Sequence, residues 1–174
     1  MSLSMYQAST PVFLRMLDNL SGILEKAAAH AEAKKIDPAI FINARLTPDM
    51  FPLSRQVQIA TDMVKACAAR LADIEVPQFE DNESTFDELQ ARIAKTKTFM
   101  QSVTAEQIDG SEERKITPKF GPRVLSFSGQ DYLLEFVIPN FHFHMTTAYA
   151  ILRHHGVEIG KSDYTGQYQE SSAT

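Results

Sequence analysis

Residues 53–72 read LSRQVQIATDMVKACAARLA, and this stretch decides the fold class. Val57, Ala60, Val64, Cys67 or Ala68, and Leu71 recur at three- and four-residue intervals, which places them on one face of a helix. Polar Thr61 and Asp62 interrupt the flank of that stripe. A helix is therefore expected from near Leu53-Ser54 to about Ala72. The same period appears upstream between about Met5 and Lys35, at Phe13, Leu14, Leu17, Leu20, Ile23 and Leu24. That first helix breaks at Ile36-Asp37-Pro38, because proline disfavours helical backbone in the residue before it. The intervening IFINARLTPDMFPLS carries two more prolines and no sustained period. It reads as a loop with a short helical turn, packed through Phe41, Leu46, Met50 and Phe51.

Downstream, the acidic linker ADIEVPQFEDNE gives way at Ser84 or Thr85 to an N-cap, with Asp87 and Glu88 favourable in the first turn. A third helix to about Val103 buries Phe86, Leu89, Ile93, Phe99 and Met100. Residues 104–130 lose the helical period and carry Gly121-Pro122 and Ser128-Gly129, so a small β-hairpin is expected, with strands near Lys115-Thr117 and Val124-Phe127. The last long helix runs from about Asp131 to His155 and stops at Gly156. Pro139 lies inside it, so the helix either kinks there or restarts with Pro139 in its first turn. The polar tail from Ser162 is expected to fray or drape over the other helices.

The sequence thus predicts a mainly α protein, an antiparallel four-helix bundle, in one domain spanning residues 1–174. Its 44% hydrophobic residues are enough for a core of ordinary size, and seven Gly and eight Pro are few for 174 residues. A net charge of −5 with scattered basic residues excludes the electrostatic footprint of a nucleic-acid binder. The lone Cys67 sits in an apolar-periodic run and reads as a small buried hydrophobe. No basic leader precedes an apolar run at the N-terminus, and no apolar stretch approaches the roughly 20 residues needed to span a bilayer. A cytoplasmic location without membrane attachment is the expectation.

Four of the five histidines, His142, His144, His154 and His155, fall in the last helix. None of them are three or four residues apart, the spacing at which one helix chelates an ion with two side chains. His144 and His155 share a face but stand roughly 16 Å apart along the axis at the helical rise. His144 therefore reads as an inward, hydrogen-bonded residue, and His154 and His155 as decoration of a helix C-terminus that favours cations. Tyr149 and Arg153 share the His142 side and read as structural or interfacial. Gly160-Lys161-Ser162 lacks the strand and Gly-rich loop of a phosphate-binding motif.

The string PNFHFHMTTAYAILRHHGVEIGKSDY, residues 139–164, closely resembles the C-terminal signature of a bacterial domain-of-unknown-function family, number nineteen ninety-three. That family lies within the DinB-like and YfiT-like superfamily of four-helix bundles. The resemblance covers nearly the whole chain, and its specific part is Pro139 to Lys161. It implies helices in up-down-down-up order, a frequent homodimer, and relatives that hold a divalent metal through three histidines. One such ligand comes from the second helix and two from an H-x-x-x-H pair in the fourth, shortly before an LR-x-x-G ending. Matching that ending to Leu152-Arg153-His154-His155-Gly156 places His144 on the last ligand position, Asn140 on the one before it, and the second-helix position near Gln58. Amide oxygens replace imidazole poorly for zinc or nickel. The resemblance thus implies a degenerate metal site and a polar pocket lined by Gln58, Asp62, Asn140, His144 and Thr147. The expected function is binding of a small-molecule ligand or an interaction role with no cofactor. The alternative is a hydrolase or transferase dependent on a divalent metal such as Zn or Ni, using His144 with non-standard ligands.

Overall fold

A computed structural model of the chain describes residues 3–168, apart from the side chain of Phe120. The element order is α1 (Met5–Ala8), α2 (Thr10–Lys34), α3 (Pro38–Ile42), α4 (Leu53–Leu71), α5 (Phe86–Gln101), α6 (Ala105–Ile108), β1 (Lys119–Phe120), β2 (Arg123–Val124) and α7 (Gly129–Asp131). A π-helical segment (Tyr132–Val137), α8 (Ile138–His154) and α9 (Lys161–Thr165) complete it. The protein is mainly helical, and four of these helices, α2, α4, α5 and α8, are long. The apolar stripes read from the sequence are the core: Phe13, Leu17, Leu20, Ile23 and Leu24 of α2 and Val57, Ala60, Val64, Cys67 and Leu71 of α4 are all buried. Each fully buried Leu, Ile or Phe contributes about 1.5–3 kcal/mol of transfer free energy.

Polar contacts fix how neighbouring helices run. Ser21 of α2 donates to Gln90 of α5 at 2.6 Å, and Lys97, further along α5, pairs with Asp18, further back on α2. On the other side, Arg70 near the end of α4 donates to the Tyr132 hydroxyl at 2.6 Å. Gln56 near the start of α4 meets His144 of α8 at 2.7 Å. Arg92 of α5 donates through Nε to Thr61 of α4 at 2.8 Å.

Several boundaries differ from the expectation for physical reasons. The first helix is divided at Ser9, whose hydroxyl donates to Met5 O at 2.6 Å and ends α1; Pro11 then sits in the first turn of α2. Thr85 is the N-cap of α5, with a reciprocal bond from Glu88. The two-residue strands pair Lys119 with Val124 and Phe120 with Arg123. The expected strand residues Ile116 and Phe127 form only an isolated bridge. The last helix does not run unbroken from Asp131: the π-helical segment comes first, and α8 restarts with Pro139 in its opening turn, where its missing N–H does no harm. It ends at His154, with His155 as its C-cap and Gly156 next, whose φ of 86° is left-handed. Residues 161–168 lie against α2, where Asn19 donates to Tyr164 O at 2.9 Å and Lys26 pairs with Asp163 at 2.7 Å. The rest of the expected fraying tail lies outside the described residues. No helix among the described residues is long and apolar enough to cross a membrane.

Candidate functional site

The residues singled out in the sequence lie on α4 and α8, and each has a defined partner. Gln56 and His144 form the cross-helix contact, Oε1 to Nδ1 at 2.7 Å. Gln56 Nε2 donates in turn to Phe51 O at 3.0 Å. Gln58, two residues on, faces away from Gln56 by about 200° of helical rotation. Its amide donates to Glu83 at 2.9 Å and accepts from Arg55 at 3.1 Å. Asn140 donates to Phe136 O at 2.7 Å, one turn back in the π-helical segment. Thr147 donates to Phe143 O at 2.8 Å and lines an open, mostly apolar depression of about 400 Å³ with Leu46, His142, Phe143, Thr146 and Ala150. Asp62 pairs with Lys65 at 2.7 Å and with Arg92 at 2.8 Å. His144 and Gln58 are thus each hydrogen-bonded to α4 or the linker, but through different faces, and the partners of Gln58, Asn140 and His144 are other residues than one another.

Gln56 was not singled out by the sequence reading. A signal for it existed: with Leu53, Val57 and Ala60 it occupies the apolar stripe of α4, so it is a polar residue at a core position and needs a buried partner. The second missed group is Arg92. Gln58, Thr61, Asp62 and Lys65 recur at helical spacing and form a second stripe of α4, polar and largely buried, facing α5 and the linker. Arg92, only 3% exposed, is its centre. Nη1 donates to Glu83 and to Glu80 O, each at 2.9 Å. Nη2 lies 2.8 Å from Asp62 and 3.0 Å from Asp81, ion-pair contacts without hydrogen-bond alignment. Burial works against the Arg92 charge, but the hydrogen bond to Glu83 and the charges of Asp62, Glu83 and Asp81 outweigh it and hold the pKa above its ordinary value. Phe79 of the linker lies under Lys65 (3.9 Å) and Lys95 (4.1 Å), so the linker is strapped down by cations.

Tyr149 and Arg153 have structural partners: the Tyr149 hydroxyl reaches Ile159 O at 3.5 Å and Arg153 reaches Val157 O at 3.4 Å. His155 caps α8, with Nδ1 2.8 Å from Ile151 O. His142 Nδ1 is 3.0 Å from the Tyr164 hydroxyl.

Burial holds the pKa of His142 below its ordinary 6.5; burial and then the Arg55 charge do the same for His144. Between those depressed values and 6.5 the unfolded chain binds more protons than the folded one, so stability rises with pH there. The contribution is present above pH 6.5 and is lost as pH falls through the folded-state values. Urea midpoints measured from pH 7.5 to 5 should fall less steeply for His144→Gln than for the wild type; parallel profiles would show that His144 does not titrate in this way.

The chemistry of the donor set bears on the divalent metal implied by the resemblance. Among the described residues, no group of three or more His, Cys, Asp or Glu is placed to hold a metal ion. One imidazole and two neutral amides do not match a zinc or nickel site. The family model for the domain of unknown function (DUF1993) matches residues 5–165. The chain belongs to this family. A crystal structure of a DinB family member protein from Shewanella denitrificans is 39% identical in sequence, with a TM-score of 0.87, covering 97% of this chain and 95% of that one. No curated protein matches the chain. Family membership over this span fits the sequence signature between Pro139 and Lys161, where Asn140 and His144 stand.

Proposed function

We propose that this member of the family is a small-ligand-binding or interaction domain whose metal position has degenerated. The observation that carries the reading is that the polar groups the resemblance assigns to that position and its pocket are engaged by protein partners. His144 Nδ1 is bonded to Gln56, Gln58 to Glu83 and Arg55, and Asn140 to Phe136 O. Asp62 is committed to Lys65 and Arg92, and Thr147 to Phe143 O. A metal ligand set would have to give up these bonds and would gain two weak amide oxygens in exchange.

The same proposal treats residues 1–174 as one cytoplasmic domain, an antiparallel four-helix bundle in up-down-down-up order with a small β-hairpin before the last helix. The Ser21–Gln90 and Asp18–Lys97 pairs support α2 antiparallel to α5, and Gln56–His144 with Arg70–Tyr132 supports α4 antiparallel to α8. A homodimer, implied by the family resemblance, is part of the reading. Its solution mass should be about twice the 19.5 kDa of one chain.

Elemental analysis of protein purified without an affinity tag tests the ligand-binding reading against the metalloenzyme. The expected result is far less than one equivalent of zinc or nickel, unchanged by His144→Ala. One equivalent of metal that disappears in His144→Ala would establish the enzyme reading instead.

A further inference from the structure

His144 is bonded across the helix interface to Gln56, Nδ1 to Oε1 at 2.7 Å. The amide orientation of Gln56 follows from its neighbours. Phe51 O can only accept, so the group facing it at 3.0 Å must be the amide nitrogen. The amide oxygen therefore faces His144, and an oxygen acceptor 2.7 Å from Nδ1 requires that Nδ1 carry the proton. In the neutral ring Nε2 then holds the lone pair. Without such a partner, an imidazole distributes its proton between both nitrogens.

We infer that Gln56 is a positioning residue that fixes His144 in the Nδ1-protonated tautomer, so that Nε2 serves as the acceptor for a small, neutral, largely apolar ligand bearing a hydroxyl donor. The ligand class follows from the surroundings. Nε2 can only accept, so the ligand must donate. The neighbouring Arg55 is a cation that already disfavours a positive charge on His144, so a neutral donor suits the place better than an ammonium group. The Phe143 ring stands edge-on to His144 with centroids 5.2 Å apart. Phe143 is 56% exposed, so aromatic surface is available beside the imidazole. This inference rests on His144 being the binding residue of the proposed function, and it adds the form of the ring and the chemistry of its ligand.

Two-bond proton–nitrogen correlation spectra of the full-length ¹⁵N-labelled chain at neutral pH read the tautomer directly. The expected spectrum assigns a protonated Nδ1 and an unprotonated Nε2 to His144. That pattern should be lost in Gln56→Met and restored in Gln56→Glu, which keeps an acceptor toward Nδ1. His155, held by Ile151 O, is an internal control whose pattern stays fixed in every folded variant. A wild-type ring protonated at Nε2, or a Gln56→Met ring unchanged from wild type, would overturn the inference about Gln56. Phenol then serves as the ligand probe, with anisole as its counterpart lacking the donor. Phenol should shift the His144 Nε2 resonance and anisole should leave it in place. Equal shifts would overturn the hydroxyl-donor class, and a correctly set ring unmoved by phenol would count against the ligand-binding reading while leaving the role of Gln56 standing.

Discussion

Replacing Arg92 by methionine is expected to lower the unfolding free energy by about 3 kcal/mol, the lower end of what removing one partner of a buried ion pair does. The reason is asymmetric. Arg92 is buried and satisfies Thr61, Glu83 and Glu80 O by hydrogen bonds and Asp62 and Asp81 by charge. Methionine fills much of the same space but leaves three carboxylates clustered without their central cation. Asp62 and Asp81 are partly exposed and recover some hydration, which keeps the effect below the upper end of that range. Arg92→Lys should recover only part of the loss, because an ammonium group cannot reproduce a planar fork bonded on several sides. Urea denaturation checks both variants. The acidic linker around Phe79–Glu83 should also become a site of rapid limited proteolysis in Arg92→Met, since its anchors are Arg92, Arg55 and the cations over Phe79. A loss within experimental error of zero would mean that the buried network is energetically neutral.

Gly129→Ala is expected to destabilise the protein by about 3 kcal/mol, the upper end of the usual range for overpacking a close contact. A Cβ at this position would stand 1.9 Å from Ser111 O and 3.0 Å from Ser111 C, and a backbone carbonyl cannot rotate away as a side chain can. The close approach is built into the structure here. Ser128 caps the turn by accepting from Asp131 N, Gln130 N donates to Glu112 O at 2.9 Å, and Tyr132 follows at once in the buried aromatic group with Phe127 and Phe136. Displacing the 111–112 backbone therefore disturbs the entry to the π-helical segment and to α8. Gly22→Ala is the contrasting case. Nothing lies within 4 Å of its added Cβ, and Gly22 is inside α2. That substitution should stabilise by about 0.5–1 kcal/mol, because alanine loses less backbone freedom than glycine on entering a helix. Melting curves of the two variants should move in opposite directions.

Much of the helical layout was legible because apolar periodicity survives without knowledge of neighbours. The stripes Phe13–Leu24 and Val57–Leu71 needed no tertiary information, and neither did the cap at Thr85 or the stop at Gly156. The strands were harder: residues 115–127 contain β-branched and aromatic residues throughout, and the choice of turn at Gly121-Pro122 shifts the paired residues to 119–120 and 123–124. The candidate site was legible only as far as single helices reach. Counting back from the Leu152–Gly156 ending located Asn140 and His144 on α8, but the residue of α4 that meets His144 depends on the register between two helices. A difference of two residues, Gln56 against Gln58, turns the side chain to the opposite face. The charged cluster was misjudged for a related reason. Thr61 and Asp62 look like interruptions at the edge of an apolar stripe when α4 is considered alone. With Arg92 and the 76–83 linker against them, they belong to a second buried stripe that holds the crossing between α4 and α5 in place.

Zinc binding by the wild type beside a double variant, Gln56→His with Asn140→His, tests the degenerate metal position most directly. The variant has three imidazoles where the wild type has one, two of them at the i, i+4 spacing that lets one helix chelate an ion. In a thermal melt with added Zn(II), the wild type should be unmoved. The variant should gain about 2.7 kcal/mol of stability when free zinc is a hundredfold above its dissociation constant. A wild-type chain that zinc stabilises as strongly as the variant, with the effect abolished by His144→Ala, would contradict the account.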